Sequence, residues 1–277
     1  MVKKILVTGS NGFIGKNLVE FYSTKYDVIT LTRNDNIKDK LNENPDIVIN
    51  TAASIYDLDG MFETNVVLVN HILEYVRQTK NKFIQIGSSA EYGKKTLPSK
   101  EQDILEPVIF YAGTKAAATL MCKSLANEFS LPIFIIRPYS VYGNYEKAYR
   151  LFPRLYNAFT KQDKMTLTEG YHDFIYIKDF VRGLNLFVEN DFENYGDIIN
   201  LGSGQQTSNT EVFQQFVNIF GFVPPNIEIS HGLSKSFESK TWICDTEYAK
   251  NKYGFVTEYS LRQGILDYIK TRKGNEL

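Results

Sequence analysis

The chain predicts an α/β fold, a doubly wound parallel sheet with a smaller, discontinuous second lobe. Three observations predict it. Short β-branched runs alternate with helical patterns along the first two hundred or so of its 277 residues. Those runs are nearly all apolar, without polar alternation, as strands covered on both faces require. After about Gly143 the pattern loosens into turns and aromatics.

In order, KKILVT (3–8) reads as the first strand, and a helical stretch runs from about Gly12 to Thr24. YDVITL (26–31) is the second strand, and Asp46 to Asn50 in PDIVINTAA (45–53) the third. A helix from Phe62 to Thr79 sets Phe62, Val66, Val69, Leu73 and Val76 at helical spacing. KFIQIGSS (82–89) is the next strand, then a helix from Tyr111 to Phe129, rich in Ala, Leu and Lys. LPIFIIRP (131–138) and DIINLGSG (197–204) complete the strands. HDFIYIKD (172–179) and the helix after it lead back to the sheet. Further helices are expected over Asn209 to Phe220 and Ser260 to Lys270. The expected organisation is therefore a dinucleotide-binding domain over 1–143 and 173–203, and a substrate lobe over 144–172 and 204–277.

Hydrophobic residues make up 43 % and charged residues 23 %, ordinary for a globular protein. A net charge of −1 lacks the basic excess that nucleic-acid or anionic-membrane partners select. Cys122 and Cys244 have no metal-ligand spacing and fit free thiols in a reducing compartment, so a cytoplasmic location and no metal are expected. A strand beginning by Lys3 leaves no room for a signal peptide, and no apolar run reaches membrane-spanning length. The 18 Tyr and 19 Phe are read first as packing.

TGSNGFIG (8–15) joins the first strand to the first helix, with Gly9, Gly12 and Gly15 three apart. This arrangement permits a tight turn, a close backbone approach to a pyrophosphate, and close packing of the helix on the strand. Strand, loop and helix in that order assign Gly9, Asn11, Gly12, Phe13, Ile14 and Gly15 to a dinucleotide. After the second strand, where an NAD enzyme presents an acid to the ribose, stand Thr32 and Arg33. A guanidinium pairs with a 2′-phosphate, so NADP(H) is preferred; NAD(H) is the alternative if Asp35 takes the ribose. Tyr111 and Lys115 lie one helical turn apart on one face. The residues alone allow two readings, an amphipathic snorkelling pair or a proton donor with its tuning cation.

The glycine spacing together with Tyr-x-x-x-Lys resembles the extended short-chain dehydrogenase/reductase family, the nucleotide-sugar epimerases, dehydratases and reductases. The similarity continues through INTAA (49–53), ETNVV (63–67), GSSAEYG (87–93), RPYSVYG (137–143), HDFIYIKD and NLGSG (200–204). It implies a Rossmann domain, a homodimer, a nucleotide-sugar substrate and a triad of Ser88, Tyr111 and Lys115. In that triad Tyr111 exchanges the proton, Lys115 favours its phenolate and binds the nicotinamide ribose, and Ser88 holds the substrate oxygen. Free tyrosine titrates near about 10, so a working value near about 7 needs roughly 4 kcal/mol of tuning. The resemblance places Thr51, Ala52, Ala53, Asn65 and Pro138 at the cofactor, and Ser89, Tyr92, Ser140, His172 and Trp242 at the substrate, where Arg150 is added as a candidate cation.

Dehydratases of the family carry two acids after the catalytic Ser/Thr. Here those positions are Ser89 and Ala90, with Glu91 one place further on. Arginines that grip the substrate pyrophosphate in the family are replaced by His172 and Trp242, and an Asn by Ser140. Lys147, Arg150 and Arg154 offer substitute cations, sharing one face if their segment is helical. The expected function is an NADP(H)-dependent reductase of a nucleotide-linked 4-keto-(6-deoxy)sugar. An NAD-retaining 4-epimerase and a non-catalytic NADP-binding redox sensor are the alternatives.

Overall fold

The computed structural model describes residues 2–233 and 241–275. It divides into two compact units. The first comprises Met1–Gly93, Glu101–Pro138 and Val181–Leu201, and the second Lys94–Lys100, Tyr139–Phe180 and Gly202–Leu277.

The first unit holds six parallel strands, β1 (Lys4–Thr8), β2 (Asp27–Leu31), β3 (Ile47–Asn50), β4 (Lys82–Ile86), β5 (Ile133–Pro138) and β9 (Ile198–Leu201), in the order β2-β1-β3-β4-β5-β9. Strand residues alternate between two covered faces. Leu6, Val48, Phe83, Ile133 and Ile135 pack with Val69, Leu73 and Val76 of α4 (Leu68–Thr79) and Ala118, Cys122 and Ala126 of α5 (Phe110–Phe129). On the other face Phe134 meets Phe187 of α7 (Ile177–Glu189) at 5.3 Å between ring centroids. The helix α1 (Phe13–Tyr22) buries Leu18 and Tyr22. The doubly wound parallel sheet follows directly from strands apolar on both sides.

The helix expected over 62–79 is broken. It consists of α3 (Leu58–Phe62), one wide π turn (Glu63–Val67), and α4. A π turn inserts a residue into the helical repeat and rotates what precedes it. Phe62 is therefore 54 % exposed, whereas Val66, Val69, Leu73 and Val76 are buried.

The second unit contains strands that sequence patterning did not show: β6 (Ser140–Tyr142), β7 (Met165–Glu169), β8 (Tyr171–Tyr176), β10 (Gln206–Ser208) and β11 (Ile227–Leu233). They form a three-stranded sheet, β10-β8-β6, and a pair, β11-β7. Residues 139–143 and 173–180, expected in the first domain, belong here because β6 and β8 pair with each other. Segment 94–100 joins them through a bridge from Ser99 to Cys244. The helices are α6 (Leu151–Lys161), α8 (Asn209–Phe220), α9 (Glu247–Tyr253) and α10 (Leu261–Asn275). Their core is aromatic: Tyr142 stacks on Phe152 at 4.0 Å, and Phe159 meets Phe216 and Phe220. No helix among the described residues is long and apolar enough to cross a membrane.

Candidate active site

At the C-terminal ends of β1, β3 and β4 a polar row interrupts the apolar sheet. Thr8 donates through Oγ1 to Asn50 Oδ1, and Asn50 Nδ2 donates to Gln85 Oε1 at 2.8 Å. Thr51 Oγ1 donates to the carbonyl of Thr8 at 2.7 Å, and Asn50 Oδ1 also accepts from Ala52 N. The row fixes the loop after β3 against the glycine loop.

Gly9 has φ +63°, and a Cβ there would lie 2.7 Å from Ala52 Cα. Gly15 backs onto the loop itself, not the strand: its Cβ would lie 2.2 Å from Gly9 O. Gly12 starts α1 without a side-chain cap, so the first N–H groups of the helix are left for an anion. Side chains at Gly9 and Gly15 would destroy this cradle, and its donors suit a pyrophosphate. A dinucleotide fits the residues present.

At the end of β2, the Asp35 carboxylate folds back to accept from Thr32 N and Thr32 Oγ1, both at 2.7 Å. Those bonds lower its pKa. Arg33 is exposed beside it.

Tyr111 and Lys115 both lie in the first two turns of α5, whose N-terminus likewise has no side-chain cap. The positive end of the helix dipole therefore lies at the turn that carries Tyr111. Lys115 is 2 % exposed and donates through Nζ to the carbonyl of Ile86. Burial pushes its pKa down to about 8, against the opposing charge of Glu91. Ser88 caps a short 3₁₀ turn (Ser89–Tyr92): its Oγ accepts from Ala90 N at 3.2 Å, and its own N–H donates to Glu91 Oε1 at 2.7 Å. One unit thus holds the glycine cradle, the triad and Pro138 at the end of β5.

Two of the residues the sequence assigns to the site, Asn65 and Tyr92, are deeply buried and hydrogen-bonded within the protein. Asn65 is 1 % exposed; its amide accepts from Ser54 N and donates to Ser54 O and to Thr114 Oγ1, each at 2.9 Å. It ties the loop after β3 to α5. Tyr92, also 1 % exposed, donates to Asn200 Oδ1 at 2.7 Å and accepts from Arg137 Nη1 at 2.8 Å. Ser89 is 8 % exposed within the turn.

The sequence reading missed Thr114, whose Oγ1 donates to the carbonyl of Tyr111 at 2.8 Å. A Thr three residues after a helical Tyr was the available signal. Glu91 was weighed only as a dehydratase acid. It is fully buried and paired with Arg137 Nε at 2.9 Å, as Ser-x-x-Glu at 88–91 could have suggested.

In the second unit, His172 Nδ1 lies 3.3 Å from Ser140 Oγ, and its ring lies against Phe174. Trp242 is half-buried, its N–H on Gln206 Oε1 at 2.9 Å. Lys147, Arg150 and Arg154 do not form one helical face. The helix begins at Leu151, with Arg150 at its cap and Lys147 in the preceding turn. Arg150 Nε pairs with Glu146 Oε1 at 3.3 Å, and Arg154 Nη2 donates to Thr166 O.

Residues 5–202 match the NAD dependent epimerase/dehydratase family. The chain is 26 % identical over 273 residues to the dTDP-D-glucose 4,6-dehydratase of Dictyostelium discoideum, covering 79 % of this chain and 62 % of that protein. It is 25 % identical to the uncharacterized UDP-glucose epimerase YtcB of Bacillus subtilis (strain 168), covering 96 % of each. Among solved structures, the UDP-glucuronic acid 4-epimerase of Bacillus cereus, in complex with UDP-glucuronic acid and NAD, superposes with a TM-score of 0.85. The identity there is 25 %, over 97 % of this chain and 99 % of that one. The family match across most of the chain leads to one conclusion: it is an enzyme of the NAD dependent epimerase/dehydratase family, within the extended short-chain dehydrogenase/reductases.

Proposed function

We propose that the chain is an NADPH-dependent reductase of a nucleotide-linked 4-keto-(6-deoxy)sugar. The observation that carries this reading is the end of β2. Asp35 is turned onto Thr32, and Arg33 stands exposed where a 2′-phosphate would be read. The turn after Ser88 supports it. The two positions that hold acids in dehydratases are Ser89 and Ala90, and the carboxylate of Glu91 is engaged by Arg137 and by Ser88 N. No acid there serves elimination of water.

When bound, the nicotinamide supplies the hydride. Ser88 would hold the keto oxygen, and Tyr111 would donate its phenolic proton to that oxygen as the alcohol forms. Lys115 and the N-terminus of α5 would stabilise the phenolate left behind. Ser140, Arg150, His172 and Trp242 are the residues we assign to the substrate, in a cytoplasmic homodimer.

One observation favours a second reading, an NAD-retaining 4-epimerase: the 25 %-identical UDP-glucuronic acid 4-epimerase was solved with NAD. An epimerase returns the hydride to the same substrate and consumes no cofactor, whereas a reductase oxidises one NADPH per product. The test is absorbance at the reduced-nicotinamide band with a 4-keto-6-deoxy nucleotide sugar, together with identification of any cofactor released on denaturation. Stoichiometric NADPH loss supports the reductase. Tightly held NAD, with interconversion and no net NADPH loss, would establish the epimerase in its place.

A further inference from the structure

Beneath the triad lies a charged set that the hydride and proton steps do not use. Glu91 and Arg137 are 0 % and 1 % exposed. Arg137 Nε donates to Glu91 Oε2 at 2.9 Å and Nη1 to Tyr92 OH at 2.8 Å, while the guanidinium lies 4.6 Å from the Tyr92 ring centroid. Tyr92 in turn donates to Asn200 on β9. A buried ion pair is weak evidence of stability in itself, because desolvation offsets the attraction. Its geometry indicates another role. The second oxygen of Glu91 accepts from Ser88 N at 2.7 Å. A Cβ at Gly87 would lie 2.7 Å from Glu91 Oε1, 3.1 Å from Arg137 Cγ and 3.4 Å from Thr119 Oγ1. The pair therefore sits against the strand end whose preceding carbonyl, that of Ile86, is taken by Lys115.

We propose that Glu91 is a positioning residue of this active site: one oxygen fixes the backbone of Ser88, and its charge, anchored by Arg137, holds Lys115 as a cation. This rests on the triad of the proposed function but not on which sugar is reduced. Lys115 is buried among few charges. Burial lowers its pKa and the charge of Glu91 opposes this, while burial pushes the thiol of Cys122, on the same helix, far up, so that it stays neutral at working pH. Tyr111 lies one turn before it on the same helix. Glu91 is thus the anion that opposes the loss of the Lys115 proton, and Arg137, permanently cationic, keeps it in place.

Glu91→Gln tests the charge while keeping an oxygen for Ser88 N–H. Glu91→Gln/Arg137→Met removes both charges, so no guanidinium is left unpaired if the single variant fails to fold. The readout is NMR titration of protein labelled with ¹³C at lysine Cε, with the Lys115 resonance assigned by its absence in Lys115→Met. This reports on the side chain whether or not a substrate has been identified, so it separates failure of the proposal from failure of the reductase reading. The expected result is a Lys115 midpoint lower by about one pH unit, tenfold in proton affinity, in Glu91→Gln, and lower by less in the double variant, which loses a cation as well. Where turnover can be measured, the alkaline limb of its pH profile follows the midpoint. An unchanged Lys115 midpoint, even with a lowered melting temperature, overturns the proposal and leaves Glu91 a structural residue.

Discussion

Asn65 Nδ2 donates to Thr114 Oγ1 at 2.9 Å, and Thr114 Oγ1 passes a hydrogen bond on to the carbonyl of Tyr111 at 2.8 Å. The wide π turn presents Asn65, and through it the loop after β3 is tied to the first turn of α5. Asn65→Ala leaves Ser54 N and O without the amide in a buried setting. Unfolding in urea should show a loss of about 1–3 kcal/mol. Thr114→Val should cost less stability, because Ser54 keeps its partner, yet still lower turnover by loosening Tyr111. Equal stability losses in the two variants would contradict this order.

Tyr111→Phe removes the proposed proton donor and leaves the glycine cradle untouched. Turnover should fall about 10²–10⁴-fold with cofactor affinity retained. Cofactor fluorescence titration beside steady-state rates measures both, and a near-normal rate in the variant would refute the role.

Arg33→Ala should weaken NADPH binding by about 1.5–3 kcal/mol and leave NADH binding nearly unchanged, because only the former carries the 2′-phosphate. Isothermal titration with both cofactors decides. Equal weakening of the two would contradict the NADPH preference.

Glu146 gives the pH dependence a sign. Its side chain is 4 % exposed, and burial outweighs the nearby Arg150 to lift its pKa from 4.5 to about 7. The folded state therefore binds a proton that the unfolded state releases between these values. The resulting stability is full below the unfolded value and is lost as pH rises through about 7. Glu146→Gln should flatten that decline, which amounts to up to about 3 kcal/mol. Urea melts at several pH values will show it; parallel curves for the two proteins would contradict the assignment.

Leu120 on α5 is 54 % exposed, and Val67, Leu68, Ala117 and Met121 are half-buried. We predict that these residues pack across a two-fold axis in a homodimer. Leu120→Glu should then give a monomer by light scattering at micromolar protein. A monomeric parent chain would rule the dimer out.

The chemistry legible in the sequence was local. Gly9 could be read because a tight turn demands a missing side chain; Gly15 is read as packing the helix on the strand, yet what a side chain there would meet is the loop itself. Tyr111 and Lys115 could be read because one helical turn separates them. The contacts that support the site were not legible, since Asn65 meets Ser54 and Thr114, and Tyr92 meets Arg137 and Asn200, only when distant segments come together. The exposure of Phe62 was misread because a π turn breaks the periodicity on which the reading relied. The strands β6 and β10 have three residues each, too few to show a period, and the pairing of β8 with both is tertiary. HDFIYIKD is thus read only as leading back to the sheet, whereas Tyr171–Tyr176 is itself a strand, β8, paired with β6 and β10.

The contact of Gly15 with the carbonyl of Gly9 limits how this chain can drift. A methyl at Gly15 meets backbone 2.2 Å away, so neither loop nor helix can yield alone. The loop is also held from below by Thr8, Thr51 and Ala52. A ligand landing on it finds its donors already arranged, and little chain freedom is left to freeze on binding. On the proposed reading, changes in cofactor affinity therefore come from the rim, at Arg33 and its neighbours. There an exposed side chain can change without disturbing the core, so cofactor preference can evolve separately from the stability of the fold.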